Sequence, residues 1–148
     1  MNATEILNAD HEHMLSLIDE VELAEPESGV VFRDPAKFDR LTEALRVHTA
    51  IEERVFYPAM RTFDGAAPLV FEACRDHRRI DALLAHLSTI RRSSGRALNR
   101  LRELKDHIRE HIKDEQEQLI PIARALLGDK ALQALGQKME RLTQSRAG

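Results

Sequence analysis

The chain reads as an all-α protein: an antiparallel up-down-up-down four-helix bundle with a short additional C-terminal helix. Three observations predict it. Apolar residues return at three- and four-residue spacing, no alternating strand pattern competes, and Pro and Gly fall mainly between long periodic segments. Four such segments with short connections are the pattern of an antiparallel bundle. The first covers about 4–25, with Leu7, His11, Met14, Ile18 and Val21 on one stripe. Residues 26–35 read as a loop ending in Asp34 and Pro35, an N-cap followed by Pro at the first helical position. The second segment aligns Phe38, Leu41, Leu45, His48, Glu52, Val55 and Ala59, and breaks at Asp64, Gly65 and Pro68. The third aligns Val70, Ala73, His77, Ile80, Leu84 and Leu87 before a turn at Ser93, Ser94 and Gly95. The fourth aligns Leu101, Leu104, Ile108, His111, Glu115 and Ile122 and stops at Gly128. After Asp129 a shorter helix carries Leu132, Leu135, Met139 and Leu142.

One domain over 1–148 is expected, its bundle at about 4–127 and its last helix at about 130–143. That helix packs on the bundle or on a second chain, so a homodimer through 130–142 is a candidate. A length of 148 residues with 43% hydrophobic and 32% charged residues is enough for one buried core. No run approaches the roughly 20 apolar residues of a membrane span, and no secretory leader is visible, so a cytoplasmic protein without a membrane partner is expected. A net charge of −3 gives no electrostatic support for nucleic acid. The single cysteine, Cys74, excludes an internal disulfide.

The seven histidines are distributed in a pattern. HTAIEERVFYP at 48–58 and HIKDEQEQLIP at 111–121 both read H-x3-E-x5-P, and each is preceded by an Asp-His pair, Asp10-His11 and Asp76-His77. The chain therefore resembles two copies of one helix pair, each giving a lone His and a His-Glu pair. Residues i and i+4 share a helix face, so His48 with Glu52 and His111 with Glu115 project together, on the apolar stripes. Counting about 1.5 Å per residue from the connecting loops puts all four histidines in nearly one layer, with both glutamates a turn away. Two buried carboxylates repel, and each costs several kcal/mol unless compensated. A cation compensates them. The alternative is a metal-free His-Glu hydrogen-bonded network, which is hard to satisfy at this size. Neutral imidazoles with carboxylates suit iron, manganese or zinc. Six ligands are too many for one tetrahedral zinc and too few to saturate two octahedral ions, so two ions bridged by Glu52 and Glu115 keep positions open. Iron is the expected metal, because open di-iron sites bind and reduce dioxygen.

These residues resemble the HHE cation-binding domain of the hemerythrin family, over about 4–127. The resemblance implies His11, His48, His77 and His111 as terminal iron ligands and Glu52 and Glu115 as bridging carboxylates. It implies two iron ions with an oxo or hydroxo bridge, and dioxygen, peroxide or nitric oxide as the small ligand, for carriage, storage, sensing or detoxification. A peroxidase-like or iron-centre-repair enzyme and a metal-dependent interaction module are the alternatives. Oxygen-carrying hemerythrins place a further histidine four residues after the third-helix ligand; here that residue is Asp81. Asp81 is a candidate additional ligand or a solvated residue, and His107, level with it, is expected to support the site without ligating. His13 and His86 should face away from the metal. Cys74 reads as a small buried residue, and Phe56 and Tyr57 as packing or pocket lining. Pro58 and Pro121 each remove a helical hydrogen bond one turn beyond a glutamate. The basic run of Arg91, Arg92, Arg96, Arg100, Arg102 and Arg109 is interleaved with Glu103, Asp106 and Glu110, so a salt-bridged surface is expected.

Overall fold

The computed structural model describes residues 1–21, 34–90 and 95–147. Among the described residues run five helical rods: α1 (Ala3–Glu20), α2 (residues 35–60), α3 (Ala67–Thr89), α4 (residues 95–126) and α5 (Asp129–Ala147). Asn2 caps α1 by accepting from the Glu5 amide at 3.0 Å, and Asp34 caps α2 by accepting from the Ala36 amide at 3.0 Å with Pro35 in the first turn. The rod α1 ends at Glu20, short of the expected Glu25. Val21 is already extended (φ −80°, ψ 109°) and turns its side chain into the core, where it is 2% exposed. The expected loop between α1 and α2 falls, except for its last two residues, outside the described residues, as do Arg91, Arg92, Ser93 and Ser94. The rod α4 ends at Leu126, with Leu127 extended, two residues before the expected stop.

Two rods are wider at one place. α2 is α-helical over Pro35–Ile51 and Tyr57–Met60 but takes a π-turn over Glu52–Phe56, and α4 does the same over Glu115–Leu119 between Gly95–Asp114 and Ile120–Leu126. Each π-turn starts at a glutamate of the repeat, and its i→i−5 bond comes from the residue just before the proline, Tyr57 or Ile120. Proline has no amide hydrogen to give the usual i−4 carbonyl, and the extra residue in the turn absorbs the loss without a break.

Neighbouring rods pack side by side, α1 on α2 and α3 on α4, with α4 closing onto α1. The core is in two parts. One holds Met14, Ile18, Leu41, Leu45, Leu84, Leu87, Leu104 and Ile108; the other holds Leu7, Ile51, Phe56, Met60, Val70, Leu119 and Ile120. Each such side chain contributes about 1.5–3 kcal/mol by leaving water. Between them lies a polar layer. Its His and Glu residues fall on the stripe between the two apolar halves, as His11 does between Leu7 and Met14.

The last rod is not short. α5 has 19 residues, one more than α1, because no Pro or Gly follows Gly136 before Gly148 and the helix outruns its apolar stripe. Leu132, Leu135 and Met139 are buried with Ala3 and Leu7 of the same chain. Of the two expected placements for this apolar stripe, the chain's own bundle takes it. At Gly136 a Cβ would lie 2.3 Å from the Met1 carbonyl oxygen, so the close approach of α5 to the start of α1 needs glycine. No described helix is long and apolar enough to cross a membrane.

Candidate metal centre

Six sequence-predicted residues converge in the polar layer. His11, His48, Glu52, His77, His111 and Glu115 are each at most 4% exposed. Their donor atoms form two groups, His11, His48, Glu52 and Glu115 in one and Glu52, His77, His111 and Glu115 in the other, with all atoms of a group within 4.8 Å of one another. The glutamates belong to both. Glu115 turns Oε1 to His11 Nε2 at 3.1 Å and Oε2 to His111 Nε2 at 3.3 Å. Glu52 Oε1 lies 3.2 Å from His48 Nε2 and 3.0 Å from His77 Nε2. Every imidazole points Nε2 inward.

The outward nitrogens are held by a neighbouring rod in each case. Asp10 of α1 lies 2.9 Å from His48 Nδ1 of α2, and Glu53 of α2 lies 3.2 Å from His77 Nδ1 of α3. Asp76 of α3 lies 3.1 Å from His111 Nδ1 of α4, and the Gln116 amide of α4 lies 2.7 Å from His11 Nδ1 of α1. A carboxylate that accepts a proton from Nδ1 leaves the lone pair on Nε2, which is the form a metal takes.

Without a cation, protons supply the positive charge. Burial pushes the His48 imidazole down, but the Glu52 charge and the bond to Asp10 outweigh it and hold its pKa at about 10. His11 and His111 are also raised, against burial, chiefly by Glu115. Burial pushes Glu52 up, yet His48 and the surrounding hydrogen bonds hold it well below the usual carboxylate range. Among the described residues, two buried polar atoms still find no hydrogen-bond partner: His48 Nε2 and Glu52 Oε2. His48 Nε2 is close to Glu52 Oε1 but too poorly aligned to bond. An imidazole nitrogen and a carboxylate oxygen left without partners in one buried layer are lone pairs that a cation would satisfy, so the donor set fits a metal.

The model of the hemerythrin HHE cation-binding domain matches residues 2–123. The chain belongs to this family. A crystal structure of a hemerythrin HHE cation-binding domain-containing protein from Mycobacterium kansasii, an Rv2633c homolog, is similar with a TM-score of 0.80 and 28% identity, over 99% of this chain and 88% of that one. A DNA nickase of Nostoc sp. (strain PCC 7120) is 26% identical over 128 residues, 84% of this chain. The chain spans only 34% of that relative's length.

Within this HHE domain the structure also locates the residues that sequence left open. Asp81 is exposed and lies outside both donor groups; its electrostatic neighbours are His77, Glu53 and Arg46, not His107. His107 is half-buried, outside both groups as well. His13 is exposed and His86 half-buried. Cys74 is half-buried, taking a bond from Arg61 at 3.5 Å, rather than buried. Arg100 pairs with Glu103 at 2.6 Å and Arg109 with Asp19 at 3.2 Å, the expected salt-bridged face.

Tyr57, expected as packing or pocket lining, reaches the carboxylates themselves. Its hydroxyl donates to Glu115 Oε2, lies 3.1 Å from Glu52 Oε1, and is 3.3 Å from His77 Nε2. Burial first, then the two carboxylate charges, raises its pKa well above the ordinary value, so it stays a donor. Residues five apart lie about 140° apart around an α-helix. The π-turn brings Tyr57 under Glu52, and Pro58 was the signal that a turn there would be irregular.

Proposed function

We propose that this HHE domain is a non-haem di-iron protein that binds or reacts with dioxygen, peroxide or nitric oxide. The supporting observation is the pair of buried donor groups that share Glu52 and Glu115. When bound, two ferrous ions supply electrons and open coordination positions for such a ligand. His11 and His48 would hold one ion through Nε2 and His77 and His111 the other, and Glu52 and Glu115, which belong to both donor groups, would offset part of the charge. Asp10, Glu53, Asp76 and Gln116 fix the ring orientations. Tyr57 holds a proton between the carboxylates, and the apolar halves above and below exclude water. With Asp81 in place of a further imidazole and a phenol inside the site, the reading favours reaction with the ligand, in sensing or detoxification, over reversible carriage.

Metal analysis of anaerobically prepared protein should give about two irons per chain; zinc alone would overturn the reading. Optical spectra through repeated oxygenation should show progressive oxidation, and full reversibility would restore carriage. Peroxide turnover well above that of free iron would mark an enzyme. His111→Ala should lose most of its metal and roughly 3–5 kcal/mol of stability, since it leaves buried carboxylates uncompensated. Unchanged metal content and melting temperature in that variant count against the proposal.

A further inference from the structure

The two H-x3-E-x5-P segments align residue for residue, and they differ at two positions that touch an imidazole: Tyr57, opposite Ile120, and the residue after the shared glutamate. Glu53 follows Glu52, whereas Gln116 follows Glu115. Both side chains reach the outward nitrogen of a lone histidine on the neighbouring rod, Glu53 with an accepting carboxylate oxygen and Gln116 with its amide nitrogen. The imidazoles of the His77–His111 position are therefore backed by two carboxylates, Glu53 and Asp76. Those of the His11–His48 position are backed by one carboxylate, Asp10, and one uncharged amide. The amide is itself tied to Asn8 Oδ1 at 2.7 Å, so Gln116 is built into the seam rather than loosely placed. Glu53 is 43% exposed, which weakens its field by solvent screening but leaves it a full negative charge where its counterpart has none.

The surroundings are unequal in the same sense. A cavity of about 390 Å³ between α3 and α4 reaches His111 and Glu115, and its wall carries Glu72, Asp76, Glu110 and Asp114 against the single cation Arg79. The cleft on the other side, about 360 Å³ between α1 and α2, reaches His48 and carries Asp10 and Glu43 against Arg40. The first wall is the more negative of the two. A carboxylate behind an imidazole raises its basicity and strengthens its bond to a metal, and a more negative approach raises local cation concentration.

We propose that the two metal positions are inequivalent: the His77–His111 position takes a divalent cation first and holds it more tightly, because Glu53 backs His77 with charge where Gln116 backs His11 without it. Glu53 and Gln116 are positioning residues that act through the histidines. This inference rests on the metal-centre reading above.

The test uses Co²⁺ alone on metal-free protein. Binding is followed by absorbance and by fluorescence of Tyr57, the only tyrosine in a chain without tryptophan. Crystals grown at one equivalent should show anomalous density between His77 and His111. Gln116→Glu should tighten the weaker equivalent about 10- to 100-fold. The double exchange Glu53→Gln with Gln116→Glu keeps the net charge and should move the first ion to the His11–His48 position. Two equivalents bound in an order that the exchange does not change, or a wild-type first ion at His11–His48, would overturn this inference alone. No Co²⁺ bound by the wild type would overturn the metal centre itself. If the double exchange does not fold, Gln116→Glu decides: unchanged affinity for the weaker equivalent overturns the proposal.

Discussion

Tyr57 sets its hydroxyl between two carboxylates that otherwise face each other in a dry core. Hydrogen bonds to charged groups are worth about 1.5–3 kcal/mol, and a buried acceptor left without its donor loses that amount. Tyr57→Phe should therefore destabilise the metal-free protein by about 2 kcal/mol in urea unfolding while keeping two equivalents of metal, because the six His and Glu donors remain. His13→Ala, on an exposed side chain, should change neither. Spacing made the six donors legible, since i, i+4 pairs on apolar stripes have one placement. It did not reveal Tyr57, because a five-residue step points away from Glu52 in any regular helix. Nor did it settle Asp81, whose four-residue offset from His77 fits a ligand equally well until its exposure is known.

At the scale of elements, local chemistry explains most boundaries. Asp34→Ala removes the acceptor for the Ala36 amide at the start of α2 and should cost about 1 kcal/mol, read as a lower denaturation midpoint with an unchanged slope. The end of α1 was not legible, because Val21 leaves the helix for a tertiary reason, its burial. The length of α5 was not legible either, because its last turns carry no apolar stripe. The seating of α5 on α1 depends on Gly136. Gly136→Ala drives a Cβ against the Met1 carbonyl and should cost about 1–3 kcal/mol, with loss concentrated in amide protection of α5 and the first turn of α1. Wild-type protection there would show that the helix ends part without cost.

The whole molecule carries a pH dependence whose sign depends on the metal. In the metal-free protein His48 is held at about 10 against an ordinary 6.5, so its contribution is full below pH 6.5 and fades as pH rises toward 10. Glu52 is held well below its ordinary 4.5, so its contribution is present above pH 4.5 and is lost on acidification. Metal-free protein should be most stable between these limits. Metal binding runs the opposite way, since the imidazoles must shed protons to ligate. The rise in melting temperature on adding metal should grow from about pH 6 to about pH 8; a rise independent of pH would mean that ligation displaces no protons.

The outward contacts of the four histidines close on themselves: α1 grips α2, α2 grips α3, α3 grips α4, and α4 grips α1. Like a hoop around staves, such a circuit has no first seam to give way, because parting any two rods pulls a ligand out of place and loosens the others. Release of a bound cation and separation of the rods would become a single event at the level of the polar layer.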